Sequence, residues 1–151
     1  MTPYRERRTK LTQQMGAGVA VIPTAAERLR NRDSHYPFRH DSYFYYLSGF
    51  PEPEAVLVMV VTDTVKTILF CREKNREREI WDGFRYGPDG AREAFGFDEA
   101  YPIDQLDAML PKLLADQPNL FFDLGADPSW DTRVVGWLNS VRGEARNGVT
   151  A

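Results

Sequence analysis

Two apolar runs only three residues apart, 55–61 (AVLVMVV) and 65–71 (VKTILFC), constrain this chain more than any other feature. Both are rich in β-branched residues, and Thr62-Asp63-Thr64 between them predicts a hairpin turn built without glycine. The first run has no polar position and the second has only Lys66 and Thr67. A strand that is apolar on both faces has to be covered on both faces. The pair therefore predicts the centre of a sheet with helices above and below it.

The flanking sequence supplies those helices. Thr2-Pro3 offers a hydroxyl cap and a proline at the first helical position. Tyr4, Leu11 and Met15 then fall on one helical face, and Gly16 stops the helix. Residues 19–22 predict a short apolar strand closed by Pro23. Residues 24–32 have room for a helical turn, although Arg28, Arg30 and Arg32 leave it no apolar face. In 43–48, Tyr43, Tyr45 and Leu47 alternate with Phe44 and Tyr46, which predicts a further strand ended by Gly49. Residues 76–83 predict a helical turn running into a loop, and 89–95 a short helix between Gly87-Pro88 and Gly96. Residues 100–103 predict an edge strand, the position Pro102 favours. Asp104 can cap a helix with Leu106, Met109, Leu110, Leu113 and Leu114 inward, kinked at Pro111. Residues 119–124 predict a buried strand. Asp127-Pro128 opens a last helix on which Trp130, Val134, Trp137, Leu138 and Val141 share a face, with Gly143 at its end. This order predicts an α/β fold: a mixed sheet of about five or six strands flanked by helices on both faces.

Charge and cysteine content narrow the function classes. Nineteen Lys and Arg against 22 Asp and Glu leave a net charge of −3. The basic clusters at 5–10 and 72–78 read as solvated faces, the second being interleaved with Glu73 and Glu77. No stripe is left for a phosphate backbone, so no nucleic-acid partner is expected. Cys71 is the single cysteine, which precludes an internal disulfide and fits a reducing, cytoplasmic location. The charged N-terminus is not followed by an apolar segment of signal-peptide type, and the run 55–61 is far too short to cross a bilayer. No membrane partner is expected.

Two segments are unusual enough to carry function. Residues 33–50 (DSHYPFRHDSYFYYLSGF) hold seven aromatics, two His, two Asp and one Arg. The segment reads either as a solvated loop feeding a half-buried strand or as a surface built to meet a partner. His35, His40, Asp33 and Asp41 do not have the spacing of a helical ligand pair or of a zinc pattern, and Pro37 lies between them. The second segment, 79–91 (EIWDGFRYGPDGA), sets Trp81, Phe84 and Tyr86 among Gly83, Gly87 and Gly90. The glycines preclude a long regular element, so these aromatics are either tucked in as local core or form a protruding tip with Trp81 as a contact. Trp130 and Trp137 read as packing residues. Cys71 ends a buried strand with no histidine nearby in sequence and reads as structural. There is no G-x-S-x-G elbow and no glycine-rich phosphate loop. Glu52 and Glu54 sit in a proline turn and read as exposed.

Taken together, the two segments resemble the N-terminal domain of Xaa-Pro aminopeptidases (aminopeptidase P). The resemblance is carried by Asp33, Ser34, Tyr36, Pro37, Phe38 and Arg39, by Ser42, Phe44, Tyr46, Leu47, Gly49 and Phe50, by PEPEAVLV over 51–58, and by EIW-x-G-x-R-x-G over 79–87. The opening helix ending in Met15-Gly16 is also similar, so the likeness runs along nearly the whole chain in order. It implies an α/β domain with a mixed sheet, like the N-terminal domains of creatinase and prolidase. It also implies a C-terminal "pita-bread" catalytic domain in which two Asp, one His and two Glu hold two divalent metals, typically manganese. There a bridging water attacks the bond before proline. No such ligand set is present in these 151 residues.

The resemblance therefore assigns 1–143 to the N-terminal domain and 144–151 to the start of a linker to a catalytic domain outside this chain. It implies no catalytic residue, metal ligand or cofactor in this segment, which alone would be inactive. The two manganese ions would belong to the missing domain. The implied partners are the chain's own C-terminal catalytic domain, neighbouring subunits in a homodimer or homotetramer, and a peptide with proline at the second position. Capping of the cleft and support of the oligomer are the implied roles, with Asp33, Tyr36, Arg39, Trp81 and Arg85 as substrate-cleft or subunit contacts. The rival is a protein-interaction module, either a standalone domain or part of a catalytically inactive relative. The intact motifs favour the peptidase lineage.

Overall fold

The hairpin forms from β4 (Val56–Val61) and β5 (Val65–Cys71), which pair antiparallel from Val61↔Val65 to Val56↔Phe70. The computed structural model describes residues 2–24, 29–30, 34–35 and 42–144. Within them β1 (Gly18–Pro23) pairs antiparallel with β4, β6 (Glu99–Pro102) runs parallel to β5, and β7 (Leu120–Phe121) runs parallel to β1. The result is a mixed five-stranded sheet of order β6-β5-β4-β1-β7 with the two most apolar runs inside it. A separate ribbon pairs β2 (Leu29–Arg30) with β3 (Ser34–His35).

Alternation along the strands divides the core into two layers. Val19, Val21, Val56, Val58, Ile68 and Phe70 face α5 (Leu106–Leu114) and α6 (Pro128–Gly143), meeting Leu110, Leu114, Val134 and Trp137. Ala20, Ile22, Leu57, Met59, Leu69 and Cys71 face the other way, toward α1 (Pro3–Met15), α2 (Ser42–Ser48) and α4 (Gly87–Phe95). The α/β class and the helices on both faces agree with the sequence reading.

Two expectations need correction. Residues 43–48 form helix α2, not a strand. Phe44 and Leu47, three apart, are buried, whereas Tyr43 and Tyr46 are half exposed, which is helical spacing. The end of α2 is satisfied from α1: Arg7 Nη1 donates to the Tyr46 carbonyl (3.1 Å) and Arg8 Nη1 to that of Leu47 (2.9 Å). On α1 the face expected from sequence is the one turned inward: Leu11 and Met15 pack on the core, Tyr4 is partly covered, and Arg8 and Thr12 are buried beside them. Arg8 lies 5.4 Å from the Phe97 ring centre, and burial lowers its pKa from the ordinary arginine value. Finally, 119–124 contributes only the two half-buried residues of β7, at the sheet edge. Of the helical turn expected over 24–32, residues 25–28 and 31–32 lie outside the described set, and Leu29–Arg30 is strand.

Candidate functional site

After β5 the chain leaves the sheet at Arg72 and makes an excursion before α4 begins at Gly87. The excursion is built on α3 (Arg76–Asp82), capped by Asn75, whose Oδ1 accepts from the Arg78 N–H (3.0 Å). No residue of α3 is buried. Trp81 is 86% exposed, Ile80 78% and the following Phe84 64%. Gly83 ends the helix at φ +93°, a conformation that favours glycine. Residues 75–86 thus form a lobe with an apolar, aromatic tip.

Its neck is polar and closely crossed. Lys74 Nζ donates to Glu79 Oε1 and to the Arg85 carbonyl, both at 2.7 Å, and lies 4.2 Å from the Phe84 ring centre. Glu79 Oε1 also accepts from the Arg85 N–H (2.9 Å). The Lys74 ammonium, with the Arg85 N–H, holds the Glu79 carboxyl below the ordinary carboxylate range. Gly87 passes Lys74 so closely that a Cβ on it would stand 2.8 Å from Lys74 Cβ and 3.2 Å from Lys74 N.

A second tie comes from the turn after α2. Glu52 Oε1 accepts from Arg72 Nη2 (3.2 Å) and Oε2 from the Tyr86 N–H (2.8 Å). Glu52 is 7% exposed, which overturns its reading as a solvated turn residue. Below it Tyr86 packs on Phe95 (5.0 Å between ring centres), on Phe50 (5.9 Å) and on Phe84 (4.9 Å). The two unusual segments therefore meet: Phe50 and Glu52, at and just past the end of the first, touch Tyr86 of the second.

Among the residues singled out from sequence, Trp81 stands on the exposed tip and Arg85 lies at the neck. The Arg85 guanidinium reaches the Glu73 carbonyl (3.5 Å) and Asp82 (3.9 Å), and its buried Nε has no partner. Asp33, Tyr36 and Arg39, together with His40 and Asp41, lie outside the described residues, and His35 is described only as backbone of β3. Sequence reasoning missed Glu52, Lys74 and Glu79 as a set. Nothing local marks Glu52, whose partners lie 20 and 34 residues away.

Chemically, the lobe offers contact rather than bond-breaking groups. Among the described residues no three His, Cys, Asp or Glu gather as metal ligands. Burial pushes the Cys71 thiol up to about 12, far from nucleophilic. Among the described residues no helix is long and apolar enough to cross a membrane. A separate cavity of about 630 Å³, whose walls include Leu11, Met15, Ile22, Phe121 and Trp130, shares no lining residue with the lobe.

Comparison with known proteins gives a consistent result. Residues 4–121 match the family model described as the aminopeptidase P N-terminal domain. The Xaa-Pro aminopeptidase of Escherichia coli is 36% identical over 151 residues, covering 98% of this chain and 34% of that protein. The Xaa-Pro aminopeptidase of Haemophilus influenzae is 40% identical over 120 residues, 78% of this chain and 28% of that one. Among solved structures, the Pseudomonas aeruginosa aminopeptidase PepP superposes with a TM-score of 0.91 at 43% identity, over 97% of this chain and 34% of that chain. Zinc-substituted E. coli aminopeptidase P in complex with product superposes with a TM-score of 0.92 at 35% identity, over 99% and 34%. The chain thus spans about a third of the length of these relatives.

Proposed function

The chain belongs to the family of aminopeptidase P N-terminal domains, and from that premise we propose that it is the non-catalytic N-terminal domain of a metal-dependent Xaa-Pro aminopeptidase. The parent enzyme releases the N-terminal residue that precedes proline. Its metals, two manganese ions in this reading, belong to a catalytic domain outside these 151 residues. The described residues offer no fitting ligand set of their own, so no step of the hydrolysis is assigned to them.

The domain's part is to cap the catalytic cleft, restrict entry to peptide ends and support a homodimer or homotetramer in the cytoplasm. The observation that carries this reading is Trp81, 86% exposed on a helix with no buried residue, at the tip of a lobe tied down at its neck. A large indole held out in water is a group waiting for a surface, and covering such a side chain is worth about 1.5–3 kcal/mol or more. In this reading Trp81 is an apolar wall for bound peptide, on its own or a neighbouring subunit. Asp33, Tyr36 and Arg39 are proposed as further contacts to peptide or partner subunit, and Arg85 as a contact from the neck.

Two experiments test it. The 151-residue chain, given manganese and an Xaa-Pro peptide, should release no N-terminal residue, and metal-dependent release would overturn the non-catalytic assignment. In the full-length enzyme Trp81→Ala should impair hydrolysis while metal content stays intact. Unchanged kinetics would return Trp81 to an ordinary surface residue. The reading frame of the full-length gene decides between this reading and the rival interaction module: if it encodes no two Asp, one His and two Glu in a catalytic domain, the peptidase reading fails.

A further inference from the structure

A seven-residue helix is too short to hold itself together in water, and α3 buries nothing that apolar packing could fix. Its placement must come from the neck. There, three charged side chains gather the backbone on both sides of the lobe. Lys74 ties the segment entering the lobe to the one leaving it through the Arg85 carbonyl, and to the helix through Glu79. Glu79, two residues before Trp81, closes the same knot by accepting the Arg85 N–H. Glu52 joins the segment leaving the lobe to the sheet, with Tyr86 N–H on one oxygen and Arg72, the residue after β5, on the other. We propose that Glu52, Lys74 and Glu79 are positioning residues that hold the α3 lobe at a set angle to the sheet and so fix where Trp81 stands.

The chemistry at Glu52 is specific. Both of its partners are donors, so a carboxylate with two accepting oxygens satisfies both. An amide of the same shape satisfies one and turns an N–H toward the other. Lys74 is equally specific, since a methionine of similar length keeps the stem and loses both donations. These residues act through α3, and so their effect on catalysis rests on the proposed role of Trp81, whereas their effect on the lobe does not.

The experiment has two arms. In the first, amide hydrogen exchange is followed by mass spectrometry on the 151-residue chain and on its Glu52→Gln and Lys74→Met variants. Exchange over residues 76–86 should rise about tenfold in both variants, with β4 and β5 unchanged. Unchanged exchange over 76–86 in both would overturn the proposal. In the second arm, the full-length enzyme is assayed on an Xaa-Pro peptide as Glu52→Gln, Trp81→Ala and the double variant. Glu52→Gln should lower kcat/KM about tenfold with metal content intact, and should add nothing in the Trp81→Ala background. An undiminished effect of Glu52→Gln without Trp81 would overturn the positioning role. A silent Trp81→Ala would instead remove the proposed function of Trp81 and leave the exchange arm to decide the structural claim.

Discussion

Gly87→Ala probes the neck most directly. Gly87 sits at φ +71°, where an L side chain is strained by about 1–2 kcal/mol. An added methyl would also meet Lys74 Cβ at 2.8 Å and Lys74 N at 3.2 Å. Neither atom is the free end of a side chain, so relief requires the backbone to move, at a further cost of about 1–3 kcal/mol. Gly96 is the matched control: it has a similar φ of +75°, at the end of α4, with nothing within 4 Å of its added Cβ. Gly96→Ala should therefore cost the strain alone, about 1–2 kcal/mol, and Gly87→Ala roughly 2–5 kcal/mol. At this chain length 1 kcal/mol moves Tm by about 2–4 °C, so the two melting curves should separate by several degrees. Urea unfolding with a common m-value gives the same comparison at 25 °C. Costs equal within about 0.5 kcal/mol would refute the crossing at Lys74 and with it the closed neck.

Leu110→Ala, at a fully buried position between α5 and the sheet, should cost about 2–5 kcal/mol in urea unfolding. Asp107 accepts from Trp137 Nε1 (2.8 Å) and Arg133 Nε (3.1 Å) at a side chain 62% exposed, so Asp107→Ala should cost about 0.5–1.5 kcal/mol and Asp107→Asn less, because the indole N–H keeps a protein acceptor only in the second. The Cys71 thiol, raised to about 12, should resist a thiol reagent at pH 8 until urea is added, and rapid labelling of the folded chain would refute its burial. Glu79 has a folded pKa depressed by Lys74, so the neck is fully stabilised above the ordinary glutamate value of about 4.3 and loosens as pH falls through the lower folded value. A 19F signal from fluorinated Trp81 should shift in that acid range, ahead of Trp130 and Trp137.

The parts legible in the sequence were those governed by short-range rules. β4 and β5 announced themselves because residues 56–61 and 65–71 are apolar enough to require burial, and α1, α6 and α4 because their caps and glycines stand in order. α2 was misread because its aromatics satisfy two periods at once. Phe44 and Tyr46 alternate as in a strand, but the buried pair is Phe44 and Leu47, and the deciding contacts come from Arg7 and Arg8 some 39 residues earlier. The same distance problem hid the neck. Trp81 could be singled out from its glycine-flanked motif, whereas Glu52 becomes interpretable only when Arg72 and Tyr86 are folded onto it.

The parallel pairing of β1 with β7 also bears on how the chain comes to be folded. β1 is finished at Pro23, yet the strand that covers its outer edge ends at Phe121, 98 residues later. At about 5–20 residues per second of synthesis, the edge at Val19 and Ala20 waits roughly 5–20 s for Leu120 and Phe121 after it is made. An apolar, unpaired strand edge is a template for a second chain. The ribosome-bound intermediate, rather than the finished domain, is then where this sequence is most exposed to misassembly. A nascent chain from which β1 but not β7 has left the ribosome should engage chaperones more strongly than one from which β7 has also emerged.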